Sequence, residues 1–287
     1  MKRKVVKRNT IHRKTRKSNR GVSVKGKWLN YLLAASCLFF LFGIAFHYRS
    51  GLAYYFGFKS SKVIEKQELK RLTDVRNFQL LTQYENKVVG IDVSQYQGQI
   101  QWNKVRTIEG AFPIEFIFIR ATAGKDKVDS QFARNWKESK NNKMLRGAYH
   151  FYRPNENSGA QAALFIRTVT LQKGDLPPIL DIESLPKNQP MDSLKAGLRR
   201  WLTKVDQHYG IKPIIYTNER YYEDFLQDDF SDFQFWIANY NFFAETMQDD
   251  WLFWQFTEKA SILGIEGNVD VNLYNGTPKM LNYLTKQ

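Results

Sequence analysis

At 287 residues, 43% of them hydrophobic, the chain can hold one large domain or two small ones, and an α/β barrel would use most of it. Its net charge of +15 argues for a nucleic-acid partner only if the charge lies on the folded body, but residues 1–27 alone carry twelve Lys or Arg and no acid, leaving 31 basic against 28 acidic side chains. Cys37 is the only cysteine, which excludes an intrachain disulfide.

The first 27 residues are polybasic and poor in apolar side chains, so no fold is expected there. Trp28 to Tyr48 then run for 21 residues without a formal charge, through Leu32, Leu33, Leu38, Phe39, Phe40, Leu41, Phe42, Ile44 and Phe46. About 20 apolar residues span a bilayer, and Trp28, Tyr31, His47 and Tyr48 stand where interfacial anchors stand. The expected segment is therefore a single transmembrane helix over 28–48, touching the lipid bilayer, with its N-terminus inside and the body outside. Anionic lipid accounts for the basic tail without nucleic acid. A cleaved signal peptide fits less well, because His47-Tyr-Arg-Ser-Gly-Leu-Ala53 offers bulky and charged residues near the cut. Residues 49–86 read as a stalk with one exposed helix, capped at Ser60 or Ser61, its Ile64, Leu69, Leu72, Val75 and Phe78 loosely at helical spacing.

From Lys87 the pattern becomes strands alternating with helices. Strands are predicted at 88–93, 116–121, 146–152, 179–183, 212–217, 235–240, 252–256 and 268–272, and helices at 132–141, 158–170 and 191–209. The alternation implies parallel βαβ units, and about eight strands suit a (β/α) barrel better than an open sheet. Within it, Leu176-Pro-Pro-Ile-Leu-Asp-Ile-Glu-Ser-Leu-Pro186 is a short core strand ending in acid. In a strand Asp181 and Glu183 point to one face, their Cα atoms about 6.6 Å apart at about 3.3 Å per residue. Two carboxyl groups at the end of a buried strand suit cleavage of a glycosidic bond, one donating a proton and one managing positive charge at the sugar. The plainer reading is a helix cap or a surface ion pair. Around the same rim stand Asp92, Arg120, His150, Tyr216, Tyr240, Trp254, Gln255 and Asp270, each near a predicted strand end.

These pieces together resemble glycoside hydrolase family 25, the Chalaropsis-type lysozymes or N-acetylmuramidases. The resemblance rests on Gly90-Ile-Asp-Val-Ser-Gln95 with Tyr96-Gln-Gly98, Arg120-Ala-Thr122, Gly147-Ala-Tyr-His-Phe151, Gln161-Ala162, Leu176 to Glu183, Ile215-Tyr-Thr217, Trp236-Ile-Ala238, Trp254-Gln-Phe256 and Gly267-Asn-Val-Asp-Val-Asn272, in order over residues 87–280. It implies an irregular, flattened, TIM-like (β/α) barrel over 87–287, no cofactor, and hydrolysis of the β-1,4 bond after N-acetylmuramic acid in peptidoglycan. On the matching positions it makes Glu183 the general acid and Asp181 the group that assists the substrate's N-acetyl oxygen. Asp92 and Asp270 become further acids of the site, and Tyr149, His150, Tyr216, Tyr240, Trp254, Gln255 and Arg120 substrate-binding residues. Ala123 departs from the acid usual in Ala-Thr-Glu-Gly, and Phe256 from a usual Tyr.

Each assignment has a plainer rival: His150 as a satisfied core histidine, Tyr216, Tyr240 and Trp254 as packing, Asp92 as a turn cap, Asp270 as an anchor of the last strand. Trp102, Trp136, Trp201 and Trp236 are assigned to packing. Two other functions compete. One is a non-catalytic peptidoglycan-binding module that tethers a wall-remodelling complex, and the other a metal-dependent hydrolase using Asp92, Asp181, Glu183, Asp270 and His150. The expected place of the anchored enzyme is a bacterial cytoplasmic membrane, single-pass, with the barrel in the periplasm or at the outer face.

Overall fold

A computed structural model of the chain describes residues 24–47, 66–241 and 246–287. The chain divides into Met1–Leu52 and Ala53–Gln287. In the first unit, helix α1 spans Val24–His47. Its described side chains, 31–44 and 46, are all exposed, and Phe42 stacks on Phe46 one turn on at 6.4 Å. Among the described residues no helix is long and apolar enough to cross a membrane. The span predicted over 28–48 overlaps this helix, and the tail to residue 23 and the caps at Ser60 and Ser61 lie outside the described residues.

The second unit begins, among the described residues, with helix α2, Lys66–Gln83. The stalk reading expected this helix to be exposed, with Val75 and Phe78 on its apolar stripe; both of these are exposed, but the opposite face is not. Thr73, Arg76, Asn77, Leu80 and Leu81 are buried, at the i, i+3, i+4, i+7, i+8 spacing of one helical face. Three of those five are polar, which hid the face from a search for apolar periodicity. Arg76 explains how polar residues are tolerated there: Nη1 donates to the Phe256 carbonyl at 2.8 Å and Nη2 to that of Asn241 at 2.9 Å.

The barrel strands are β1 Val88–Val93, β2 Phe116–Ala123, β3 Leu145–Phe151, β4 Ile179–Asp181, β5 Ile214–Asn218, β6 Gln234–Ala238, β7 Trp251–Ala260 and β8 Val269–Tyr274. They hydrogen-bond in that order, and β1 pairs with both β2 and β8, so the ring closes. The pairings from β1 through β7 are parallel, while β8 runs antiparallel to both neighbours. Register shifts in β7 and between β2 and β3 make the barrel irregular. A two-residue strand, Lys127–Val128, folds back on the end of β2.

The crossover helices α3 Phe132–Asn141, α4 Ser158–Thr168 and α5 Met191–Tyr209 stand where the spacing placed them, α4 ending two residues early. Gly210 ends α5 in the left-handed conformation, φ 66°, that glycine adopts without a Cβ penalty. Outward-facing strand residues such as Ile91, Ile117, Ile119, Leu180 and Ile215 form one core with Phe165, Leu198, Trp201 and Leu202 of the helices. Inward-facing Val88, Phe116, Phe118, Ile179, Ile214, Trp236, Phe253 and Tyr274 fill the barrel's lower half. Gly90 and Gly147 make room for them: a Cβ would stand 2.4 Å from the Phe116 ring at Gly90 and 2.8 Å from the Phe118 ring at Gly147.

Leu81 is fully buried in the outer core, so Leu81→Ala in the full chain is expected to destabilise the barrel by about 2–4 kcal/mol, read from denaturant unfolding. Val75→Ala, at an exposed position of the same helix, is expected to change stability by under about 0.5 kcal/mol.

Candidate active site

Because side chains alternate along a strand, every second residue of each barrel strand enters the barrel. Above the aromatic filling, the inward positions nearest the carboxyl ends are Asp92 on β1, Arg120 on β2, Tyr149 on β3, Asp181 on β4 and Tyr216 on β5. Gln255 of β7 joins them. Asp270 reaches the same rim from the start of β8, since that strand runs the other way and pairs Asp92 with Asp270.

Asp181 closes β4 and is buried, while Glu183, two residues on, is exposed at the mouth. Their carboxyl groups lie within hydrogen-bond reach of each other. No described donor reaches Asp181 Oδ1. Two carboxyl groups so placed favour one proton between them over two negative charges. Burial, then the charge of Glu183, pushes Asp181 well above the usual carboxylate range. Glu183 is also raised, by the solvation it loses to the surrounding protein, and Asp181 opposes that rise by hydrogen-bonding to it.

A second pair faces it. Asp92 Oδ2 accepts from Gln255 Nε2 at 2.6 Å and from Asn272 Nδ2 at 2.8 Å. Those bonds are held from behind: Tyr216 Oη donates to Gln255 Oε1 at 2.7 Å, Tyr240 Oη donates to the same oxygen, and Trp236 Nε1 donates to Asn272 Oδ1 at 2.8 Å. Burial lifts Asp92 to about 6, against the pull of these donors. Asp270, also desolvated and beside the Asp92 charge, rises to about 9, so near neutral pH it is the protonated partner that hydrogen-bonds Asp92.

Arg120 is committed elsewhere. Its Nε pairs with the nearly inaccessible Asp129 carboxylate at 2.9 Å, and its guanidinium lies 4.7 Å from the centroid of the Tyr96 ring. Tyr149 is partly buried, its phenol pushed up by burial and by the Asp92 charge. Tyr240 is partly exposed at the rim.

Two of the residues assigned to substrate binding are placed on the wrong side of the sheet. His150 follows the inward Tyr149 and so faces outward, where it is fully buried against Trp201 at 5.5 Å. Its Nδ1 meets Thr122 Oγ1 at 2.7 Å and its Nε2 meets Gln161 Oε1 at 3.1 Å. Burial lowers it to about 4, so it is neutral at physiological pH. Trp254 likewise precedes the inward Gln255 and packs outward against Tyr84 at 6.0 Å, donating to the Asn239 carbonyl at 3.0 Å. The alternation alone separates these neighbours, since Tyr149 with His150, and Trp254 with Gln255, cannot share a face. With His150 turned away, the five-residue metal set does not assemble, and among the described residues no group of three or more His, Cys, Asp or Glu is placed to hold a metal ion.

Three residues not singled out for the site support it. Asn272 holds Asp92, Trp236 holds Asn272 as well as packing, and Asp129 holds Arg120. Only Asn272 carried a signal, as an inward position two residues beyond Asp270.

A closed barrel with two pairs of neighbouring acids and aromatic residues at its carboxyl mouth suits cleavage of a glycosidic bond. The sequence profile of the glycosyl hydrolases family 25 matches residues 91–265, and the chain belongs to that family. YegX of Escherichia coli K12 is 36% identical over 211 residues, 72% of this chain and 76% of that protein. Lysozyme M1 of Streptomyces globisporus is 32% identical over 209 residues, 68% of this chain and 70% of that one. Among solved structures, a family 25 glycosyl hydrolase from Bacillus anthracis superposes with a TM-score of 0.63 at 28% identity, over 70% of this chain and 94% of that one. The bacterial lysozyme of Streptomyces coelicolor gives 0.62 at 29%, over 69% and 97%.

The two perturbed groups predict opposite pH limbs. Asp270 has a folded pKa of about 9 against an ordinary 3.8, so its contribution to stability is complete below about pH 4 and is lost as pH rises through 9. Asp270→Asn is expected to flatten the loss of melting temperature between about pH 6 and 9. His150 is depressed to about 4 from 6.5, so its contribution is present above about 6.5 and lost as pH falls through 4. His150→Gln is expected to flatten the acid limb, with thermal melts across pH checking both.

Proposed function

We propose that the chain is a peptidoglycan muramidase that hydrolyses the β-1,4 bond between N-acetylmuramic acid and N-acetylglucosamine. The observation that carries this reading is the Asp181–Glu183 pair: two neighbouring carboxyl groups, both pushed up by lost solvation, one buried and one open at the mouth, with no cation paired to either among the described ion pairs. Glu183, accessible and with a raised pKa, donates its proton to the leaving glycosidic oxygen. Asp181, beneath it, accepts from the N–H of the substrate's N-acetyl group and orients that group's oxygen toward the anomeric carbon. The exocyclic oxygen then attacks, the C–O bond breaks, and water opens the resulting cyclic intermediate with Glu183 as base. The Asp92–Asp270 pair keeps a negative charge beside the developing oxocarbenium ion.

The relatives called lysozyme and N,O-diacetylmuramidase support the substrate class. The apolar, charge-free stretch 28–48 behind a tail of twelve basic residues supports a membrane anchor, N-terminus inside, with the barrel working on the wall beside a bacterial cytoplasmic membrane.

Digestion of purified peptidoglycan, followed by mass spectrometry of the products, tests the reading. New reducing ends on N-acetylmuramic acid are expected, with Glu183→Gln slower by about 10²–10⁴-fold and the rate unchanged by EDTA. Equal digestion by Glu183→Gln would overturn the role of Glu183. Binding to sacculi without any new reducing end would favour the tethering module, which the loss of the acid at Ala123 also favours.

A further inference from the structure

The carboxyl rim carries an exposed aromatic ring that the acid site does not use. Tyr96 is 78% exposed, and a single exposed ring is ordinary on a protein surface. What sets it apart is how firmly it is held.

The turn that bears it follows β1 directly. Ser94 and Gln97 form a capping box: Ser94 Oγ accepts from Tyr96 N at 3.3 Å, and Gln97 Oε1 accepts from Ser94 N at 2.8 Å. Gly98 closes the turn with φ 59°. The turn is tied to β2's connection, since Asp129 Oδ2 accepts from Gln95 N at 2.9 Å, and to the start of β8, since Gln97 Nε2 donates to the Asn268 carbonyl at 3.3 Å. The same Asp129 oxygen holds Arg120, whose guanidinium backs the ring at 4.7 Å. One buried carboxylate thus positions both the turn and the cation behind it.

Arg120 is also the rim's link inward, because its charge acts on Asp181 and on Tyr149. With one face of the ring backed by the cation, the other is open beside the mouth. An aromatic face presented on a backbone turn tied down in this way suits the C–H face of a pyranose ring. Among the described residues, Leu185 and Tyr240 are exposed on the loops following β4 and β6.

We propose that Tyr96 is the floor of an outer glycan subsite, stacking on an N-acetylhexosamine ring beyond the bond that is cut. The subsite rests on the muramidase reading for its substrate class and not for its geometry. It contributes binding to long strands and nothing to the chemical step, so it separates KM from kcat.

The test uses the full chain and purified octasaccharides of alternating N-acetylglucosamine and N-acetylmuramic acid. Binding is read by calorimetry in a Glu183→Gln background, and turnover in the otherwise unaltered enzyme. Tyr96→Ala is expected to raise both Kd and KM about tenfold, with kcat within about twofold, and Tyr96→Phe is expected to match the parent, since it keeps the ring. The exposure of Tyr96 keeps the core intact in both variants, which unchanged melting temperatures verify. Parent-like affinity in Tyr96→Ala overturns the subsite, as does an equal loss in Tyr96→Phe, which would assign the effect to the hydroxyl. A parent that binds the octasaccharide without cutting it overturns the hydrolytic reading alone, and the Kd comparison still decides the subsite. A parent that neither binds nor cuts overturns both.

Discussion

The structure turns on carboxyl groups that the barrel sets close together and withdraws from water at Asp181, Asp92 and Asp270, with Glu183 open above them. Burial and the charge of the neighbouring acid push Asp181 well up and lift Asp270 to about 9, so beside Asp92 near neutral pH Asp270 keeps its proton. An ion pair would have lowered these groups and removed the proton donor. Arg120, the cation nearest to such a role, makes its ion pair with Asp129, and its charge only offsets part of the rise of Asp181.

Closure of the barrel makes this arrangement possible. Seven parallel strands bring their carboxyl ends to one rim, but a parallel eighth would begin at the other end. Antiparallel β8 starts at the rim, so Asp270 stands beside Asp92 in register, and Asn272 beside Gly90 and Gln255. From there Asn272 and Gln255 both donate to one oxygen of Asp92. Their own acceptors are filled by Trp236, Tyr216 and Tyr240, so donors from four strands and the rim converge on one anion. A network so fully satisfied fixes the carboxylate's direction. It also gives the buried aromatic residues polar work that their packing alone does not reveal.

Outside the barrel the same economy of polar contacts recurs. Helix α2 docks through Arg76 as well as through Leu80 and Leu81, and His150 links β2, β3 and α4 through Thr122 and Gln161. His150 is the clearest example of a residue whose type invites a chemical role and whose position denies it. Both ring nitrogens are occupied, and Trp201 covers its face.

Much was legible in the chain itself. Alternating apolar runs and helical spacing placed the eight strands and three crossover helices, because both periods are local, though the seventh strand runs four residues further than expected. The order of short motifs gave the family, but the strand expected over 179–183 ends at Asp181, so Glu183 stands on the loop beyond it and strand alternation does not set its direction. What only the tertiary structure decided was which groups meet. The pairing of Asp92 with Asp270 needs the chain between them, nearly the whole barrel, to close a ring. The docking of α2 needs a polar face to find carbonyl partners 165 and 180 residues away. Desolvation, and with it every shifted pKa at the mouth, depends on how many neighbours surround a carboxyl group. That number is a property of the closed barrel and is written in no single stretch of sequence.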